Sequence, residues 1–527
     1  MDLFDFIKKS INGIVMSERR TYNDAVKGVI RKLRDYSVSS IADCARDYLN
    51  RKSKSGNEAY KLPWIVLLVL KIVIESKDIK LYSGKKCKEN ILLDACNNLW
   101  NNGELLIDTS AVNRLFLSFR SLINVQLIFQ RNENLNFMRL PILIGLIGER
   151  NPLYVLFKEE FNLTPEQFNF YAFLVMAPLM IHGENVLICS SYFDSIREKC
   201  WTELSSFIND YSKNLSELRD LLQEESKKNK HEFGNERSSK ELIETPWLIR
   251  YPFLKRDEYL LAWHPSLYAM CLEETVHKRL SFYGQRYMQP FSKIFENYVL
   301  SLLRQCPYEF ISEGDYKKKL HDKSVPAVDA IVKVNDNINL FVEVKASLFQ
   351  DEILVSDNER IIYTKFSNVR KAFVQGWKVG KIIRKNEQFH ISDESVDFLV
   401  VVVNRRINCG SAAHFRAIMP NDVFKNICPE NGFLEPDEEN LRNLPIENIL
   451  IMSIDIFEQL ILLVVNGKLD IVEFLSKLSS MNKEHNIPYF NIDEVFSRYF
   501  NVNKNCDVPL FLKEIERIST CAKKLLL

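Results

Sequence analysis

The sequence has no C-x-x-C pair among its 11 cysteines, no surplus charge of either sign, and no apolar run long enough to span a membrane. Each absence removes a class of protein. Cysteines scattered without ligand spacing over 527 residues argue against a zinc site or a disulfide frame and for reduced thiols in a cytoplasmic setting. A net charge of +1 gives no global basic signal, so affinity for nucleic acid must come from local patches. The run from Leu62 to Ile74 is short and contains Lys71, and the run from Phe168 to Ile181 is interrupted by Pro178. Both fall below the roughly 20 residues that a span needs, so both read as buried helices and no membrane partner is expected. The opening stretch, Met-Asp-Leu-Phe-Asp-Phe-Ile-Lys-Lys-Ser, begins with acidic residues and has no apolar core of signal-peptide length, so no secretory leader is expected. There is no internal repeat. Gly376-Trp-Lys-Val-Gly-Lys381 is one residue short of the Walker spacing, lacks a hydroxyl after its lysine and follows no strand, which removes a built-in ATPase.

What is present is an ordinary globular composition, 46% hydrophobic and 26% charged, in a chain long enough for two or three domains. Residues 1–222 read as a helical N-terminal domain. From Tyr22 to Asn50, apolar residues recur at helical spacing (Ala25, Val26, Val29, Ile30, Leu33). Thr164-Pro165-Glu166-Gln167 is a helix start, with threonine as cap, proline in the first turn and glutamine reaching back. Residues 223–244 read as a polar linker that carries Gly234 and one large apolar residue, Phe233. Residues 245–466 then form a mixed domain that opens on a small hairpin, Thr245 to Trp263, and a helix from Pro265 to about Ser281. It closes with a strand at Asn448–Ile454 and a helix from Asp455 to Asn466. Residues 467–527 are helical again, ending in the amphipathic stretch Leu510–Leu527. The N-terminal half shows no catalytic motif. A scaffold or a sensing, docking or oligomerisation domain would all look like this, so a protein partner or a homo-oligomer through it is an open expectation.

Chemistry concentrates in the middle. Val325 to Val334 and Ile338 to Ala346 read as two strands joined by Asn335-Asp336-Asn337, which is hairpin turn chemistry. On the second strand Leu340, Val342, Val344 and Ala346 form one apolar face, predicted to lie against a helix, while Glu343 and Lys345 share the other. A three-residue loop with Asn337 in the left-handed region would set Asp329 directly opposite Glu343. A loop one residue shorter or longer would put them on opposite faces. Two carboxylates that close repel each other, and burial is costly without a cation between them. Oxygen donors with no His or Cys nearby suit magnesium or manganese rather than zinc. Basic residues flank this region at Lys317-Lys318-Lys319 and at Lys378, Lys381, Arg384 and Lys385; they would either neutralise phosphates or form a solvated surface.

Val328-Asp329 followed by Glu343-Val344-Lys345 resembles the PD-(D/E)xK nuclease superfamily, over residues about 290–404 only. The flanking order is similar too: a leading helix at Phe291–Leu303, a strand at Tyr308–Ser312, the hairpin, a helix over Arg360–Gly380 and a buried strand at Val396–Val403. One departure is that proline lies at Pro326 and does not directly precede Asp329. The resemblance implies an α+β or α/β fold, a restriction-endonuclease-like mixed sheet flanked by helices, here with a large helical N-terminal domain and a helical tail. It implies catalysis by Asp329, Glu343 and Lys345, with Glu296 and Gln375 in supporting places. Lys371, Gln375 and Lys378 share one helix face. Metal, Mg2+ or Mn2+, would be held by Asp329, Glu343, the Val344 carbonyl and Glu296. The implied reaction is phosphodiester hydrolysis, on DNA as an endonuclease, in restriction or anti-phage defence. The alternatives are a non-cleaving nuclease fold that binds DNA or protein, and an enzyme that cuts RNA. His264 and His277 have no ligand-like neighbours in sequence and read as structural or surface histidines.

Overall fold

The computed structural model describes residues 21–51, 61–102, 112–129, 135–182, 187–233, 237–346, 354, 356, 358–389, 391–392, 395–419, 442–484, 492, 495 and 508–526. Over these residues the chain is mostly helical, with two small mixed sheets and α+β character. No helix among them is long and apolar enough to cross a membrane.

The first sheet contains β1 (Leu187–Cys189), β2 (Ser212–Lys213), β3 (Phe253–Arg256) and β4 (Tyr259–Ala262), in the order β1-β4-β3-β2. Its β3–β4 pair is the hairpin expected between Thr245 and Trp263, and it turns through Asp257 at φ 48°. The second sheet runs β5 (Glu309–Ser312), β6 (Ala330–Asn335), β7 (Ile338–Lys345), β8 (Val396–Val403) and β9 (Ile449–Ser453), in that spatial order. β5, β6 and β7 are antiparallel neighbours, whereas β7, β8 and β9 are parallel. A parallel pair needs a long crossover, and here it contains the helices Glu359–Lys365 and Ser367–Arg384. β8 is a near-continuous β-branched run, buried from Asp397 onward, as a strand covered on both faces should be.

The two faces of this sheet feed different cores. Val332, Leu340, Val342, Val400 and Val402 pack into the larger core, which is continuous with the leading helix Gln285–Leu303 and the N-terminal helices. The apolar face of β7 thus lies against a helix, as its pattern predicts. Ile331, Phe341, Leu399 and Val401 pack instead beneath Ser367–Arg384. That helix stays continuous through two poor helix formers, Gly376 and Gly380. The reason is close approach: a Cβ on Gly376 would lie 2.9 Å from Leu399 Cδ2, and one on Gly380 would lie 2.9 Å from Asp397 Oδ2. The Walker-like glycines therefore serve helix–sheet packing.

Several N-terminal details differ from the sequence pattern. Tyr22 to Asn50 is two helices, Tyr22–Leu33 and Val38–Asn50, the second capped by Ser37. Thr164 and Gln167 form the reciprocal capping box, with backbone-to-side-chain bonds of 2.9 and 3.2 Å. The stretch read as a polar linker is helical through Phe233, as part of Leu215–Phe233; Gly234 lies outside the described residues. Its polar groups are engaged. Gln223 Nε2 donates to the Glu75 carbonyl at 3.0 Å, and Glu241 accepts from Lys71 Nζ at 2.9 Å and from the Tyr22 hydroxyl at 2.8 Å. Composition alone cannot tell a solvated segment from one whose charges are paired on a neighbouring helix.

The C-terminal helix Pro509–Leu526 returns to the N-terminal helices. Asn169 Nδ2 donates to Glu514 at 3.2 Å, Arg517 donates to the Glu166 carbonyl at 3.0 Å, and the Arg139 guanidinium lies 5.4 Å from the Phe511 ring. Arg139 also makes a buried two-pronged bond to Glu458, at 2.7 and 2.6 Å, and Tyr298 donates to the same carboxylate. Glu458 belongs to the helix Ile454–Val465 that follows β9. N-terminal, central and C-terminal stretches therefore share one core.

Candidate active site

The pairing of β6 with β7 decides whether the charged residues meet. Ala330 pairs with Val342, Ile331 with Phe341, Val332 with Leu340 and Lys333 with Asn339. One step beyond, Asp329 faces Glu343, as the hairpin reading requires, although the turn achieves this differently. Asn335 pairs with Ile338, leaving a two-residue loop, and Asn337 does not adopt a positive φ. An irregularity between Lys333 and Asn335 shifts the register. It adds one residue to β6 and so restores the facing that a two-residue loop alone would have reversed.

The resulting cluster is tightly bonded. Asp329 Oδ2 accepts the Val344 N–H at 2.6 Å. Lys345 Nζ donates to Glu343 Oε1 at 2.5 Å and to Gln375 Oε1 at 3.1 Å. Gln375 Nε2 in turn donates to the Ala327 carbonyl at 3.2 Å. Glu343 is 4% exposed, and its Oε2 is buried with no hydrogen-bond partner among the described residues.

Electrostatics follow from that burial. Desolvation and then the facing Glu343 push the Asp329 carboxyl up to about 7, against the pull of the Val344 N–H. Burial also raises Glu343, with Lys345 opposing. Two carboxyls of this kind titrate as a pair, and a cation is what would let both ionise. The donor set is all oxygen, which is the chemistry of a hard divalent cation.

Glu296, read from sequence as a further ligand, sits on the leading helix and accepts from Lys293 Nζ at 2.7 Å. Its charge adds to the upward push on Asp329. Among the described residues, however, no three His, Cys, Asp or Glu side chains converge as a metal-binding group. The strand pairing brings Asp329 and Glu343 together, and Glu296 is bonded to Lys293 on the leading helix. Sequence reasoning missed Lys293 and Glu313. The Glu313 N–H donates to the Asp329 carbonyl at 3.1 Å, and its charge raises Glu343. The i, i+3 spacing of Lys293 and Glu296 was the available signal for the first; for Glu313 there was none.

The flanking basic residues divide. Lys317 pairs with Glu313 at 2.6 Å and Lys318 with Asp315 at 3.6 Å on the short helix Glu313–Lys319. Arg384 is not a phosphate-facing cation: it is buried against Asp397 at 2.5 Å and donates to the Ser395 carbonyl at 2.8 Å. Both histidines are structural. His264 Nδ1 accepts the Ser266 N–H at 3.2 Å, and His277 Nδ1 lies 2.7 Å from the Tyr287 hydroxyl. Comparison of the chain with protein-family models, curated proteins and solved structures finds no match.

Proposed function

We propose that this chain is a metal-dependent phosphodiesterase of the PD-(D/E)xK type, with a restriction-endonuclease-like core, that cuts DNA as an endonuclease. The observation that carries the reading is the facing of Asp329 and Glu343 across β6 and β7, with Lys345 on the same pleat face. The element order around it supports the same reading: leading helix, three antiparallel strands, crossover helix and parallel strand.

Asp329, Glu343 and the Val344 carbonyl would hold magnesium or manganese, and Glu343 Oε2, buried without a partner among the described residues, fits such a ligand. The ion would supply positive charge for the scissile phosphate and make an attacking water more acidic. Lys345 has three N–H donors, of which Glu343 and Gln375 take two. The third is the donor for the water or a phosphate oxygen. Gln375, anchored on the Ala327 carbonyl, fixes the direction of that ammonium and is a positioning residue. The helical N-terminal half would select or gate the substrate, a layout consistent with restriction or anti-phage defence.

The test is cleavage of plasmid, linear and single-stranded DNA, and of RNA, with magnesium or manganese and with chelator. Wild type is run beside Asp329→Ala and Lys345→Ala. Metal-dependent cutting of DNA that both variants lose is the expected result. Cutting that persists in both variants refutes the site, and cutting of RNA alone reassigns the substrate. A wild type that neither cuts nor binds metal refutes the enzyme in favour of a non-cleaving binding module.

A further inference from the structure

Two cysteines that lie well apart in the sequence meet among the N-terminal helices. Cys44 is on the helix Val38–Asn50, and Cys87 immediately precedes the helix Glu89–Asn102. Backbone bonds bring them together. The strip from Lys80 to Lys85 runs along the start of the first helix. There the Val38 and Ser39 N–H groups donate to the Lys80 and Leu81 carbonyls, both at 2.9 Å, and the Lys85 N–H donates to the Asp35 carbonyl at 2.8 Å. The approach is so close that a Cβ on Gly84 would lie 2.6 Å from the Ser37 nitrogen. The Cys87 N–H then donates to Ser40 Oγ, and Cys44 is one helical turn beyond Ser40, on the same face. The two thiols are left in hydrogen-bond contact. Both are free; Cys44 is partly exposed and Cys87 is 6% exposed.

The contact makes the two sulfurs unequal. Their hydrogen bond lowers Cys87, against the effect of burial, and the Leu92 N–H, in the first turn of Glu89–Asn102, lowers it further. A sulfur at a helix N-terminus is in a setting that favours the thiolate, the nucleophilic form. Cys44 keeps its proton: the bond to Cys87, then burial, then the charges of Cys87, Glu89 and Asp47 all raise it. The nearby Cys96 is 4% exposed and pushed up to about 12 by burial, so it stays an inert thiol.

We infer that Cys44 and Cys87 are a reversible oxidation site that closes a disulfide when the chain meets hydrogen peroxide. The Cys87 thiolate attacks the peroxide; an S–O bond forms as the O–O bond breaks, and the departing hydroxide takes up a proton to become water. Cys87 is then a sulfenic acid. The Cys44 sulfur attacks it, the S–S bond forms as the S–O bond breaks, and the second oxygen leaves as water with the Cys44 proton. Two thiols are oxidised to one disulfide, and one peroxide is reduced to two waters. The bridge closes the loop that carries the helix Pro63–Glu75 and fastens Val38–Asn50 to the start of Glu89–Asn102.

The test uses the full chain, reduced and then freed of reductant, with chelator present. It is exposed to hydrogen peroxide, quenched with an alkylating agent and mapped by peptide mass. The expected product is a peptide joining Cys44 to Cys87, about 2 Da lighter than the two thiol peptides together and reversed by dithiothreitol. It should form about tenfold or more faster than oxidation at Cys306 or Cys521, which are partly exposed and serve as references within the same chain. Two variants separate the roles. In Cys44→Ser, dimedone should trap a sulfenic acid at Cys87; in Cys87→Ser, loss of the Cys44 thiol should slow about tenfold or more. Absence of the joined peptide, formation no faster than oxidation at Cys306 and Cys521, or undiminished reaction of Cys44 in Cys87→Ser overturns the inference. The wild-type map decides it even where a variant does not fold, and neither result bears on the nuclease reading.

Discussion

Replacing Asp329 by asparagine should stabilise the metal-free protein and at the same time remove its response to metal. The Asp329 carboxyl rises from 3.8 to about 7 on folding; at about 1.4 kcal/mol per tenfold change in proton affinity, ionising it costs the fold at most about 4 kcal/mol. The sign follows from the direction of the shift. Below about pH 4 both folded and unfolded carboxyls are protonated, and the cost vanishes. Between pH 4 and 7 the unfolded carboxyl ionises while the folded one holds its proton, so the wild type loses stability as pH rises. Above pH 7 the deficit is constant. Asparagine keeps an oxygen to accept the Val344 N–H, and its amide nitrogen can donate toward Glu343 where a carboxylate repels it. Because the repulsion is shared with Glu343, we expect a net gain of about 1–3 kcal/mol at pH 8, falling toward zero at pH 4. Urea midpoints in chelator at pH 4, 6 and 8 measure this without assuming two-state unfolding of the whole chain. Millimolar magnesium should then raise the midpoint of wild type by mass action and leave Asp329→Asn unmoved. A variant less stable than wild type at pH 8, or a difference independent of pH, would refute the buried-carboxylate argument.

Two further predictions concern the scaffold. Gly376→Ala and Gly380→Ala each gain about 1 kcal/mol of helix propensity, yet each puts a Cβ 2.9 Å from a neighbour. Gly376 meets the flexible end of Leu399, whereas Gly380 meets an Asp397 carboxylate fixed by Arg384. Thermal midpoints should therefore fall more for Gly380→Ala, by the equivalent of about 1–3 kcal/mol; the reverse ranking would show that the helix can shift off the sheet. Asp397→Ala should cost about 3–5 kcal/mol by leaving a buried guanidinium unpaired. Adding Arg384→Met should recover much of that loss in the same denaturation assay, and no recovery would place the cost in the Asn339 bond to Asp397 instead.

The central residues were readable in the chain because strand and helix periodicities are local. Alternation along Leu340 to Ala346 separated the apolar face from Glu343 and Lys345, and the polar interval at Asn335–Asn337 located the hairpin. The run Val396–Val403 was visible as a buried strand for the same reason. Local chemistry also named the Thr164–Gln167 cap, whose bonds lie within four residues. In contrast, the mixed charges of residues 223–244 suggested a linker, because the partners of Gln223 and Glu241, namely Glu75, Lys71 and Tyr22, are more than a hundred residues away.

The sequence by itself determined which residues alternate, which turn and which carry charge, since those properties depend on near neighbours and on the pleat or helical repeat. Only the tertiary structure decided that a register shift at Val334 brings Asp329 opposite Glu343, because a strand's facing depends on its partner. It also decided that Arg384 turns inward to Asp397 while Lys345 turns to Glu343 and Gln375. Burial sets the cost of each charge, and burial is a property of the packed chain, absent from any single stretch of it.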